Sequence, residues 1–213
     1  MGRAQQYAKL FPDMIRDWRK SWGQDKLPFL FVQLAPFRYG GQDKRSCAEL
    51  WEAQLRTLRR VEDTGMAVTN DIGDTRDIHP RNKQDVGYRL ALWALANTYG
   101  KTDLVFSGPL LKSQCVEEGQ IRVSFRHVGS GLATRDNQPP SHFEICGDDE
   151  NYVPAVAKIE GETIVVTSDQ VPEPVAVRFA WADDAEPNLM NKEGLPASAF
   201  RTDNFKMVTD GQL

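Results

Sequence analysis

Residues 29–34, Phe-Leu-Phe-Val-Gln-Leu, form an almost continuous apolar run bounded by Pro28 and Pro36. A run so short and evenly apolar fits a buried parallel strand covered on both faces. The flanking segments read as helices. Tyr7, Leu10, Phe11, Met14, Ile15, Trp18 and Trp22 recur at three- and four-residue steps, which predicts a helix over 3–22 with one apolar stripe. Pro12 weakens its middle or opens a second helix near Phe11, and Gly23 is the stop. Ser46 and Glu49 have the spacing of a capping box for a helix over 47–61, with Trp51, Leu55, Leu58 and Val61 inward. A second short strand covers Met66 to Asn70. The helix after it takes His79 as N-cap and Pro80 as its first residue, and runs through Val86, Leu90, Trp93 and Ala94 to Tyr99, closed by Gly100.

The order helix, strand, helix, strand, helix is that of a doubly wound α/β sheet with only two of its strands. Two parallel strands cannot cover each other's edges or support helices on both faces. The expectation is therefore the C-terminal part of a larger protein, its other strands preceding Met1 or supplied by a second chain. Beyond Gly100 the pattern changes to period two: Ile121, Val123 and Phe125, then Phe143 and Ile145, then a hairpin turning near Glu160-Gly161. This predicts two domains, an α/β part over 1–100 and an antiparallel β-sandwich of seven or eight strands over 101–213. Residues 183–205 lack useful periodicity and read as an irregular, ordered tail.

Composition narrows the function class. The net charge of -4 and isoelectric point near 5.5 carry no footprint for nucleic acid or an anionic membrane. No run of about 18 apolar residues exists to span a bilayer, and the N-terminus has no apolar core of a signal peptide. The reading is a soluble protein whose compartment stays open, since an export signal could lie on a longer parent. Cys47, Cys115 and Cys146 lack metal-site spacing; a Cys115–Cys146 bridge and three reduced thiols are both open.

The chemistry concentrates in Thr69–Gln84, TNDIGDTRDIHPRNKQ, which joins the second strand to its helix. It holds Asp71, Asp74, Asp77 and His79, one of only three histidines. A histidine at a helix N-terminus stays neutral and able to accept a proton. A nearby carboxylate can hold its Nδ1–H and leave Nε2 to face a nucleophile. Asp77 is the closest candidate and Asp74 the alternative. The same residues also suit a purely structural helix cap.

Longer blocks carry a resemblance: FPDMIRDWRKSWG with PFLFVQLAPF, DIGDTRDIHPRNKQDVGYRLALWAL, GQIRVSFRHVGSGL, and VRFAWADDAEPNLMNKEGLPASAFRTD. With these the chain resembles the C-terminal portion of the sialate O-acetylesterases, a branch of the SGNH (GDSL-like) carbohydrate esterases. The first two blocks resemble the end of the α/β esterase domain and the last two the C-terminal β domain. The resemblance implies a serine esterase that removes O-acetyl groups from sialic acids or related sugars through an acetyl-enzyme, without metal or organic cofactor. His79 would match the family's D-x-H-P histidine, with Asp77 as its orienting acid. In the broader SGNH pattern the acid stands three residues before the histidine, where this chain has Arg76, so Asp74 remains open.

The nucleophile of that family lies in an N-terminal G-Q-S-N-like turn, and none of the nine serines here has such a context. Ser130, between Gly129 and Gly131, is nearest by its glycines but falls in a strand-end turn. The expectation is a chain inactive by itself, with an acetylated sugar as substrate and the missing N-terminal half of the esterase as partner. Trp181 and the following segment match a family motif in which Asn188 and Asn191 are candidate sugar contacts; the structural alternative is that they pin the tail. His127 and His142 read as structural. The other function class is a carbohydrate-binding or interaction module that kept the fold and lost catalysis.

Overall fold

Helix α1 (Ala4–Trp22) runs unbroken through a buried Pro12, in a computed structural model that describes residues 2–40 and 44–212. It ends at Gly23, whose φ of 64° is the left-handed conformation that glycine adopts without a Cβ clash. The chain then forms β1 (Phe29–Val32), α2 (Ser46–Arg60), β2 (Thr64–Ala67) and α3 (Lys83–Asn97). These belong to a first unit comprising Met1–Ser107, Ala182–Asp184 and Met207–Leu213. It continues past Gly100 because Phe106 packs edge-on against Trp93, with ring centroids 4.7 Å apart. Among the described residues, no helix is long and apolar enough to cross a membrane.

Strands β1 and β2 pair in parallel, Phe29 opposite Thr64 through Val32 opposite Ala67. Side chains alternate across a strand, so Phe29 and Phe31 meet Phe11 of α1 on one face, at 6.0 and 4.9 Å between ring centroids. Leu30 and Gly65 turn to the other face, under α3. A Cβ built on Gly65 would lie 2.7 Å from Leu30 Cδ2 and 2.9 Å from Trp93 Cβ. Replacing Gly65 with alanine should therefore cost about 1–3 kcal/mol by overpacking, read as a lower urea midpoint at unchanged slope.

Three helical expectations are corrected. Of the α1 stripe, Phe11 and Ile15 are buried, but Leu10, Trp18 and Trp22 are 63, 43 and 59% exposed. Periodicity marks which residues are apolar, not which of them find a neighbour. The capping box of Ser46 and Glu49 does not form: Glu49 is pulled inward, where its carboxylate accepts the N–H groups of Val208 and Thr209 and the Thr209 hydroxyl. Asp183 takes over at the α2 N-terminus, its Oδ1 accepting the Cys47 N–H at 2.7 Å. Finally, α3 starts at Lys83 and is capped by Asn82, whose Oδ1 accepts the Asp85 N–H at 3.1 Å; His79 and Pro80 lie in the loop before it.

The second unit comprises Gly108–Trp181 and Ala185–Lys206. Its strands are β3 (Leu110–Glu117), β4 (Gln120–Arg126), β5 (Leu132–Thr134), β6 (Phe143–Cys146), β7 (Val153–Pro154), β8 (Val156–Glu160), β9 (Thr163–Thr167), β10 (Ala176–Phe179), β11 (Leu189–Asn191) and β12 (Phe200–Arg201). They form antiparallel sheets in the orders β3-β4-β9-β8, β12-β10-β6-β7 and β11-β5. The whole chain is thus a mixed α/β protein with several antiparallel sheets. Ile121, Val123 and Phe125 are buried as their alternation requires, and Phe125 reaches across to Phe200 of the second sheet, 5.8 Å between centroids. The β8–β9 hairpin turns at Gly161. The tail is less irregular than its sequence: β11 and β12 are each too short to leave a periodic signature. All three cysteines are free, Cys47 and Cys146 buried and Cys115 exposed, so no Cys115–Cys146 bridge forms.

Candidate active site

The loop after β2 leaves the carboxyl end of the parallel pair, the end where open α/β sheets place ligands. Its first residues are fastened down. The Thr69 hydroxyl donates to Gln33 O at 2.8 Å, and Asp71 forms a forked ion pair with Arg89 of α3 at 2.6 and 2.7 Å. Arg89 Nη1 also donates to Val68 O at 2.6 Å. Further along, Thr75 O accepts the Arg38 N–H, which ties the loop to the segment following β1.

The tip carries the candidate acid and base. Asp74 Oδ1 accepts the Arg76 N–H and Asp77 Oδ1 accepts the His79 N–H, both at 2.9 Å. These are the local turns that aspartates favour. His79 Nδ1 stands 3.9 Å from Asp77 Oδ1, and the imidazole is 89% exposed. That separation is an ion-pair distance and too long for a hydrogen bond. A modest side-chain rotation would close it, and catalytic contacts commonly tighten only when substrate binds. The structure therefore brings the Asp77 carboxylate to within 3.9 Å of His79 Nδ1, while Asp74 bonds the Arg76 N–H. An open groove of about 260 Å³ lies beside His79, lined among others by Val32, Leu34, Ile72, Ile78, Pro80 and Val86. It is a mainly apolar surface at the ends of both strands.

The other candidates have local partners in the second unit. Ser130 donates its hydroxyl and N–H to Glu193 Oε1, and this hydroxyl bond holds the Glu193 carboxyl below its ordinary range. A serine clasped by a carboxylate, without an imidazole partner in these contacts, is a turn fastener. Asn188 accepts from the Ser141 N–H and hydroxyl and donates to Asp136 Oδ1 and Pro139 O. Asn191 accepts from the Leu195 N–H and donates to His127 O. Both asparagines are buried and hold turns together. His127 is also half-enclosed, and burial with Arg126 nearby pulls its pKa down; His142 Nδ1 sits 2.9 Å from the Ser141 hydroxyl.

The part of the tail that joins the first unit is Ala182–Asp184. Asp183 and Asp184, with Arg38, Tyr39, Gly40 and Lys44, line a second cavity of about 410 Å³. These residues went unread in the sequence because isolated charges in unpatterned segments carry no signal of their meeting. The one signal that could have drawn attention to them is the position of Arg38 and Tyr39, directly after the first strand and its Pro36.

No family model matches the chain. It is 33% identical to the sialate O-acetylesterase of Mus musculus over 199 aligned residues and 30% identical to that of Homo sapiens over 204. Each match takes in 82% of this chain, but 36% of the mouse protein and 37% of the human one. A crystal structure of a carbohydrate acetylesterase from Xanthomonas citri superposes with a TM-score of 0.89 at 44% identity, over 94% of this chain and 46% of that one. This chain is homologous to the sialate O-acetylesterases over four-fifths of its own length and spans little more than a third of theirs.

Proposed function

We propose that the chain carries the acid–base end of a serine carbohydrate O-acetylesterase acting on O-acetylated sialic acid or a related sugar. The observation that carries this reading is the His79–Asp77 pair at the carboxyl end of the parallel strands, in a homologue of sugar acetylesterases. In the reaction, a serine hydroxyl outside this chain attacks the acetyl carbonyl while His79 takes its proton. His79 then returns that proton to the departing sugar oxygen, leaving an acetyl-serine. Water attacks this ester with His79 again as base, and acetate leaves. Asp77 holds the imidazole tautomer and offsets its transient charge.

The edge of β1 is the place for the missing polypeptide, in an SGNH-like sheet. Phe29 N–H bonds Asp63 O and Gln33 N–H bonds Ala67 O, so the odd-numbered residues face β2. Leu30, Val32 and Leu34 then present their backbone groups to the opposite edge, where the described residues place no strand. Gln54 of α2 stands in at one end, accepting from Leu34 N–H and donating to Val32 O. Val32 and Leu34 are 38 and 36% exposed, and the uncovered half of the α1 stripe adds further apolar surface. A sheet edge with apolar surface of this kind is suited to another strand.

The test is p-nitrophenyl acetate hydrolysis by the purified chain and by His79→Ala, with fluorophosphonate labelling of its serines. The expected result is equal, background hydrolysis and no labelled serine. Hydrolysis lost in the variant would place the nucleophile within this chain and sink the assembly reading. Acetate release should appear once the nucleophile-bearing segment is supplied. Sugar binding without acetate release in that assembly would favour a non-catalytic binding module instead.

A further inference from the structure

We propose that the cavity beside residues 38–40 is a pyranose subsite, in which Arg38 and Asp184 grip neighbouring sugar hydroxyls and Tyr39 supports the ring. Its volume of about 410 Å³ falls within the range of small-molecule sites. Arg38 Nε lies 3.3 Å from Asp184 Oδ2, with the two side chains 64 and 31% exposed. Such an exposed ion pair adds little to stability, yet it sets a planar donor fork beside an acceptor-only carboxylate. A sugar hydroxyl both donates and accepts, so adjacent hydroxyls match this pairing.

The backbone on both sides of the pair is held in place. Asp183 bonds Cys47 N–H through its side chain, Phe37 N–H through its carbonyl and Lys44 O through its own N–H. Phe37 meets Tyr39 edge to face at 5.0 Å, which fixes the tyrosine ring. Burial, with smaller effects from Cys47 and Asp183, raises the Tyr39 phenol to about 12, so it remains a hydroxyl donor at neutral pH. The Arg38 N–H bond to Thr75 O, at 3.0 Å, joins this cavity to the loop that carries His79. Lys44 adds a second cation and offers a contact for a sugar carboxylate. The proposal deepens the esterase reading and rests on it for the choice of a sugar as ligand; because sugar binding needs no nucleophile, its test is separate from that of acetate release.

The experiment is a titration of the ¹⁵N-labelled chain with methyl β-xyloside, methyl β-glucoside and the methyl glycoside of N-acetylneuraminic acid. At least one should bind saturably with a Kd on the order of 1 mM and shift the amides of Arg38 and Tyr39. Arg38→Ala and Asp184→Asn should each weaken it about tenfold or more, with unchanged melting temperatures since both side chains lie at the surface. Arg16→Ala, which breaks an exposed ion pair with Asp13, should leave binding unaltered. Preference for the acidic sugar that Lys44→Gln removes would assign Lys44 to the carboxylate; equal affinities would assign recognition to hydroxyls alone. No saturable binding of any of the three up to about 100 mM, or binding that both cavity variants leave within twofold, would overturn the proposal.

Discussion

Replacing Asp203 with asparagine is expected to destabilise the second unit by about 3–5 kcal/mol, the cost of leaving buried charges without their partner. The Asp203 side chain is fully enclosed, while those of Arg178 and Arg201 are 8 and 6% exposed. One carboxylate serves them all. Oδ2 accepts from the Tyr152 hydroxyl at 2.6 Å and Arg178 Nε at 2.9 Å. Oδ1 accepts from Arg201 Nη1 at 2.7 Å, the Phe205 N–H at 3.1 Å and Arg178 Nη2 at 3.3 Å. The Arg178 guanidinium also lies 4.0 Å from the Tyr152 ring centroid. Asparagine keeps the shape but removes the charge, and its amide hydrogens point at donors.

The same cluster sets a pH dependence. Burial works to raise the Asp203 carboxyl, but the Arg178 and Tyr152 hydrogen bonds and the arginine charge outweigh it and bring the value to about 2. A carboxyl depressed in the folded state stabilises at pH above its unfolded value, near 4, and that stabilisation is lost as pH falls toward 2. Hydrogen exchange of the β6 and β10 amides should therefore show protection declining over this window in the parent protein. In Asp203→Asn the protection should be low throughout and the decline much flatter. A loss below about 1 kcal/mol would mean that water already screens the arginines.

How much was legible beforehand follows from how far each signal reaches. The parallel pair, the three helices and the Ile121–Phe125 face rest on patterns within a dozen residues, and all are present. Glu49 looked like a capping residue because Ser46 is nearby; its actual partners, Val208 and Thr209, come from the far end of the chain. Likewise, His79 before Pro80 satisfies the local rule for a helix start, but Asn82 makes the better cap, with one side-chain oxygen on the Asp85 N–H. At the candidate site, residue type was readable and geometry was not. Asp77 stands nearer to His79 on paper, with Asp74 the alternative; both make the same turn bond, and the 3.9 Å approach of Asp77 Oδ1 to His79 Nδ1 is what separates them. Arg38 and Asp184 meet only through the fold, so no spacing announced them.

That separation of the two aspartates makes the catalytic reading testable residue by residue. In the assembled esterase, His79→Ala is expected to lower kcat for acetate release by about a thousandfold or more, since base and nucleophile act as one unit. Its effect on KM should be small, because the imidazole acts on the proton of the attacking serine and not on the bound sugar. Asp77→Ala should also lower kcat, by about a hundredfold, since its carboxylate stands 3.9 Å from His79 Nδ1. Asp74→Ala should change kcat only a few-fold, since the contact it loses is a turn bond to the Arg76 N–H. Comparable losses in both aspartate variants would point instead to a general collapse of the loop, which a lower melting temperature would expose. A large loss for Asp74→Ala alone would transfer the orienting role to it, and would require the tip to refold around substrate so that its carboxylate replaces that of Asp77 at Nδ1.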